Sequence, residues 1–238
     1  LAAIGYDAVE VWGQHIDDKT PAELRQVREI ADSNGLGIEV VSPYFWLTNS
    51  EELRQESLAT AERFVGHCHA LGCRKVRTFT DAGPTGIGSD VATPEHWRIA
   101  VDSLKTITAM DRDVLFVVET HAKTLADTPE SALRLLNEVE APNLRINFQP
   151  SKTHFRDAYR QLRPYISHLH LQNAAADDAH GYLEDGELDL PKLFRQLVDD
   201  GYDESMSVEY CWKDVPWERA RTACDYLNQH LPDRPPAA

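Results

Sequence analysis

Cysteine is scarce, four residues in 238: Cys68, Cys73, Cys211 and Cys224. None forms a Cys-x-x-Cys pair, and Cys68 and Cys73 lie five apart in a helical stretch, poor spacing for a zinc knuckle. This argues against a disulfide framework or structural zinc and leaves four reduced thiols, as expected for a cytoplasmic protein. Long apolar runs are missing too. None approaches the roughly 18 residues of a transmembrane span, and no signal peptide is visible. Positive charge is in short supply: 24 Lys and Arg against 39 Asp and Glu give a net charge of -15 and a pI near 5.0. Phosphate backbones and anionic lipid repel such a chain, so neither nucleic acid nor membrane is an expected partner. No Gly-rich phosphate turn follows any strand, which counts against a doubly wound nucleotide-binding sheet.

What the sequence has is alternation. Hydrophobic residues make up 42%, enough for the core of one domain over residues 1–238. Strands are read at Ala8–Trp12, Gly37–Ser42, Lys75–Thr80, Val114–Glu119, Asn143–Gln149, Ile166–Leu171 and Ser205–Tyr210. Helices fall between them. Thr20-Pro21, Thr93-Pro94 and Thr128-Pro129 each set an N-cap before a first-turn proline. Asn34-Gly35 and Gly72 stop two of these helices. Residues 173–189 read as a loop. Strict β-α alternation means a parallel sheet covered by helices. Seven strands are one short of a closed (β/α)8 TIM barrel, and the missing one would precede Leu1. The incomplete barrel would bare core surface, which implies a homodimer or a further N-terminal segment.

Four strand ends carry polar groups after apolar runs. Val114-Leu-Phe-Val-Val reads as a strand buried on both faces and ends in Glu119, with His121 two residues on. The others end in Gln149, in His168-Leu-His170, and in Glu209. Burying a carboxylate there is costly unless something binds it. Parity along each strand puts Glu119, Gln149, His170 and Glu209 in one layer, above Asn147, His168 and Ser207. Two carboxylates, an imidazole and an amide oxygen suit one divalent cation: Mn²⁺, Mg²⁺, Co²⁺ or Zn²⁺. Singly, each has a bland reading as loop chemistry or a core hydrogen bond. Candidate substrate contacts are His121, Lys152, His154, Trp46 and Arg77, the last suited to a phosphate or carboxylate. Trp12, His15 and Trp212 also follow strand ends, where an aromatic face can stack on a sugar or simply pack. Glu10 reads as a backbone-holding residue, and His67-Cys-His69 as structural.

The chain resembles the xylose isomerase-like TIM-barrel superfamily, the sugar phosphate isomerase/epimerase group. The stretches that carry the resemblance span nearly its whole length. They are Gly5-Tyr-Asp-Ala-Val-Glu10, Ala70-Leu-Gly-Cys-Arg-Lys-Val-Arg77, Val118-Glu-Thr-His121, Ile146-Asn-Phe-Gln-Pro150, His168-Leu-His170, Gly186-Glu-Leu-Asp189, and Gly201-Tyr-Asp203 leading into Ser207-Val-Glu209. In that family Glu, Asp, His and Glu hold one divalent metal, which implies Glu119, Gln149, His170 and Glu209 here. Gln149 departs from the pattern and removes a negative charge. A family histidine three residues after the Asp is also absent, and His154 stands five after Gln149. The resemblance implies a sugar or polyol isomerase/epimerase working through a metal-stabilised enediolate, with Glu119 and Glu209 as the acid/base pair. Its alternatives are a lyase of the inosose or dehydroshikimate dehydratase kind, and a sugar-binding barrel without catalysis.

Overall fold

The structure is a computed structural model that describes residues 1–81, 83, 85–151, 155–174, 180–210 and 215–231. Seven parallel strands form one sheet: β1 (Ala8–Trp12), β2 (Gly37–Ser42), β3 (Lys75–Thr78), β4 (Leu115–Glu119), β5 (Leu144–Phe148), β6 (Ile166–Leu171) and β9 (Met206–Val208). They follow one another in chain order around a nearly closed barrel. The remaining two strands, β7 (Asn173–Ala174) and β8 (His180–Gly181), make a small antiparallel ribbon within the segment expected to be a loop.

Helices α1 (Pro21–Ser33), α2 (Glu51–Leu71), α3 (Pro94–Met110), α4 (Pro129–Val139), α5 (Phe155–Leu162), α6 (Leu190–Asp199) and α7 (Glu218–His230) surround the sheet. The Thr-Pro pairs start three of them as read. Thr20, Thr93 and Thr128 each accept the N3 backbone N–H, and the N3 side chain returns the bond. Gly72 ends α2 in the left-handed region at φ 75°, as a C-terminal glycine should. The main core lies between sheet and helices. Val41, Val76, Phe116, Ile146 and Leu169 from the strands meet Phe64, Leu104, Leu135 and Phe194 from the helices.

Two details position the site. The β1–β2 register slips between Val9 and Glu10, and the β5–β6 register slips between Ile146 and Asn147. Such irregularities re-aim side chains, and here they fall at polar inward-facing residues. Among the described residues, β1 and β9 do not pair. They flank a cavity of about 600 Å³ that Tyr6, Val9, Glu10, Ser207 and Glu209 help to line.

Candidate metal centre

All seven barrel strands run the same way, so their C-terminal ends share one face, the usual place for barrel chemistry. Glu119 is the last residue of β4, Gln149 and Glu209 come one residue after β5 and β9, and His170 is next to last in β6. The barrel brings all four together. His170 Nδ1 lies 3.4 Å from Glu119 Oε2 and 3.3 Å from Glu209 Oε2. Gln149 Nε2 donates to Glu209 Oε2 at 3.1 Å. Glu119, His170 and Glu209 thus converge closely enough to ligate one ion.

The electrostatics match that convergence. Glu119 is buried, and burial alone would push its carboxyl up. The His170 and Arg77 charges beside it outweigh that and hold it below the usual carboxylate range. For His170, burial opposes the charged form, but Glu10, Glu119 and Glu209 outweigh it and raise the imidazole well above its ordinary value. His170 Nδ1 is nevertheless buried without a hydrogen-bond partner. An orphaned donor atom aimed between two carboxylates fits a cation in its place. Three carboxylates (Glu10, Glu119, Glu209) face one imidazole and one guanidinium here, an excess of negative charge that a divalent ion offsets.

A second layer lies beneath. Glu10 accepts from His170 Nε2 at 2.9 and 3.0 Å and from His168 Nε2 at 3.1 Å, and it takes a further hydrogen bond from Ser42 Oγ. Glu10 therefore holds side chains, not the neighbouring backbone that its sequence reading implied. The two imidazoles outweigh burial and keep its carboxyl well below the usual range. Burial pushes His168 down, so it is neutral. A neutral imidazole facing a carboxylate must carry its proton on Nε2, which leaves Nδ1 to accept from Ser205 Oγ at 2.9 Å. Asn147 sits in the same layer, fully buried, with both amide atoms unpartnered.

Arg77 is buried at 4% exposure and lies against two rings, 4.2 Å from the Phe79 centroid and 4.8 Å from Tyr44. Its Nη1 meets Glu119 at 3.3 Å and its Nη2 meets the Ser42 carbonyl at 3.3 Å, so only Nε lacks a partner. The guanidinium first serves Glu119. His121 is half-buried, with Nδ1 2.8 Å from the Ala122 carbonyl and its ring edge-on to Phe79. Trp46 lies beside Tyr44 in a short bridge to Asp81 and does not line the β1–β9 cavity, whereas Trp12, His15 and Tyr44 do. Lys152, His154 and Trp212 lie outside the described residues. His67 and His69 point apart as expected: His67 is buried, while His69 is exposed and pairs with Asp111 at 2.8 Å. Cys68, Cys73 and Cys224 are free thiols.

The sequence reading missed the clamp made by Glu10 and the sandwich around Arg77. Glu10 and the aromatic run Pro43-Tyr-Phe-Trp46 lie more than thirty residues apart, and nothing in the sequence joins either to the strand-end residues.

Residues 1–230 match the family described as Xylose isomerase-like TIM barrel. A 3-dehydroshikimate dehydratase of Bacillus anthracis is 29% identical over 185 residues, 73% of this chain and 64% of that protein. A putative hydroxypyruvate isomerase of Homo sapiens is 25% identical over 162 residues, 63% of this chain and 58% of that protein. The chain thus spans about three-fifths of these curated relatives. Among solved structures, a D-psicose 3-epimerase from Clostridium cellulolyticum with D-tagatose superposes with a TM-score of 0.80 at 16% identity, covering 97% of this chain and 91% of that one.

Proposed function

The chain belongs to the xylose isomerase-like TIM-barrel family, and from that premise we propose a divalent-cation-dependent sugar or polyol isomerase/epimerase that moves a proton beside a carbonyl. The observation that carries the reading is His170 Nδ1, buried and unpartnered between Glu119 and Glu209 at 3.4 and 3.3 Å. A bound cation would polarise the carbonyl and neighbouring hydroxyl of the substrate, acidifying the C–H between them and stabilising the enediolate. Glu119, Gln149, His170 and Glu209 are the residues that would hold it.

The chain's own groups divide the remaining work. The Glu209 side chain is 27% exposed and lines the cavity, whereas Glu119 is 2% exposed and tied to Arg77. Glu209 is therefore the better placed to take the proton and return it. One accessible carboxylate favours return to the neighbouring carbon, which interconverts an aldose and a ketose. Inversion at a single carbon needs a second base on the opposite face, and Glu119 serves there once Arg77 releases it. The Trp12–Tyr44 wall of the cavity, together with His121 from its place against Phe79, is proposed to orient the substrate.

A dehydratase is the second reading. It is favoured by the 29% identity to a 3-dehydroshikimate dehydratase and by the Arg77 guanidinium beside the cavity, where a carboxylate can be recognised. There the same proton abstraction is followed by loss of a β-hydroxyl.

Elemental analysis of the purified protein and of Glu209→Gln is the test, followed by incubation of the metal-loaded protein with ketoses, keto-polyols and 3-dehydroshikimate in D₂O. We expect about one divalent ion per chain, diminished in the variant. Deuterium in a recovered or isomerised sugar supports the first reading, and an aromatic product supports the second. A wild type that takes up no metal after soaking overturns both and leaves a barrel that binds sugar without turning it over.

A further inference from the structure

We propose that Glu10 is a positioning residue: its carboxylate, fastened to Ser42 and His168, fixes the His170 ring so that Nδ1 faces the cation site. The inference rests on the proposed cation site.

The geometry is specific. His170 has two ring nitrogens in two different environments. Nε2 meets both Glu10 oxygens, at 2.9 and 3.0 Å, and Nδ1 meets no hydrogen-bond partner. A carboxylate can only accept, so Nε2 must carry its proton toward Glu10, and a cation that displaces the Nδ1 proton takes the lone pair of that nitrogen. Glu10 is itself held in place. Ser42 Oγ binds Oε1, and His168 Nε2 binds Oε2 at 3.1 Å. His168 is fixed in turn by Ser205 at 2.9 Å and Ser207 at 3.0 Å. The chain of contacts starts on β2, crosses β1 and β6, and ends at β9 and the turn before it. It therefore also spans the flank where β1 and β9 do not pair. The register slip at Val9/Glu10 places the carboxylate there, and the slip at Ile146/Asn147 sets His168 opposite Asn147.

The test uses the full chain with Mn²⁺ and Zn²⁺ as probes. Affinity and stoichiometry are measured by titration calorimetry for wild type, Glu10→Ala and Glu10→Gln, with a thermal melt of each metal-free protein. Gln keeps the shape and one acceptor, so it preserves the fold if Ala does not. Two-bond ¹H–¹⁵N spectra of the Zn²⁺-loaded proteins report which His170 nitrogen carries the proton. We expect one cation per wild-type chain, and affinity lower by roughly 10–100-fold in Glu10→Ala and by a smaller factor in Glu10→Gln. We also expect an Nε2–H His170 in wild type and loss of that single form in Glu10→Ala. Equal affinities with an unchanged His170 spectrum overturn the positioning role while leaving the cation site standing. Two cations per wild-type chain, one of them lost in Glu10→Ala, also overturn it, because Glu10, His168 and His170 then form a ligand set of their own. A wild type that binds neither ion overturns the site itself.

Discussion

Gln149 is the residue at which the site departs from a charged ligand set. Its Nε2 points at Glu209 Oε2, 3.1 Å away, and so adds a hydrogen bond to a carboxylate that also faces His170. Gln149→Asp replaces a donor by a third carboxylate in the upper layer. The metal-free protein should melt lower through repulsion, and affinity for Mg²⁺ or Mn²⁺ should rise by about ten-fold, equivalent to about 1.4 kcal/mol. Calorimetry with and without Mn²⁺ checks both signs; turnover is expected to fall if the amide is part of a specialised site. Away from the site, His67 is buried against Phe64 with Nε2 unpartnered. Burial lowers its pKa, helped by the Arg63 charge, and outweighs the opposing contacts with the Asp17 and Ile16 backbone and the Asp17 charge. The fold therefore prefers neutral His67. That stability is fully present above the ordinary histidine pKa of about 6.5 and is lost as pH falls through the lowered folded value. His67→Phe removes this titration, so urea melts at pH 7.5 and 5.5 should differ less for the variant than for wild type. At this scale the residue types were legible and their partners were not. The strand-end pattern picks out Glu119, Gln149, His170 and Glu209, which the barrel brings together, but Glu10 reads as a backbone holder because nothing in its neighbours reveals a register slip.

Helix starts were the most legible elements, because a Thr-Pro pair works through local hydrogen bonds that need no tertiary context. Strand lengths were less so. The apolar pattern carried β3 to Thr80, β5 to Gln149 and β9 to Tyr210, yet pairing ends at Thr78, Phe148 and Val208. The difference matters, since Gln149 and Glu209 come one residue past the strand ends, on the face where Glu119 and His170 converge. The ribbon of β7 and β8 was not legible at all. It is organised by the buried Asn173, whose Nδ2 donates to the Leu183 carbonyl at 2.8 Å and whose Oδ1 accepts from Leu188 N–H at 2.9 Å. Long-range contacts of that kind leave no periodicity. The local rule permits a direct check. Thr128 caps α4, the helix that follows the Glu119 strand, with reciprocal bonds to Ser131. Thr128→Ala should cost about 1 kcal/mol in urea unfolding. Cation stoichiometry should stay the same, because the cap touches none of the four candidate ligands.

At the scale of the whole molecule, the β-α rhythm was enough to give a barrel with seven strands, and strand order then fixes the open flank between β1 and β9. What the rhythm could not convey is how polar the barrel interior is. Glu10, Lys75, Arg77, Glu119, Asn147, His168 and His170 all occupy it, and Lys75 reaches Glu204 at 2.8 Å across the barrel. No helix among the described residues is long and apolar enough to cross a membrane. Stability should therefore vary around the sheet. Strands β4 and β5 have a partner on each side and apolar cover, whereas among the described residues β1 and β9 each have a partner on one side only. Hydrogen exchange on the metal-free protein should show peptides covering 204–210 and 7–12 opening well before those covering 114–119 and 144–148. Adding Mn²⁺ should then slow exchange selectively at 204–210, because a cation held by Glu119, His170 and Glu209 ties the β9 end to two central strands. Glu209→Gln should lose that response while keeping the metal-free pattern. Uniform protection before metal is added would mean that the β1–β9 flank is covered in solution. A response spread evenly over the barrel would mean that the ion binds elsewhere.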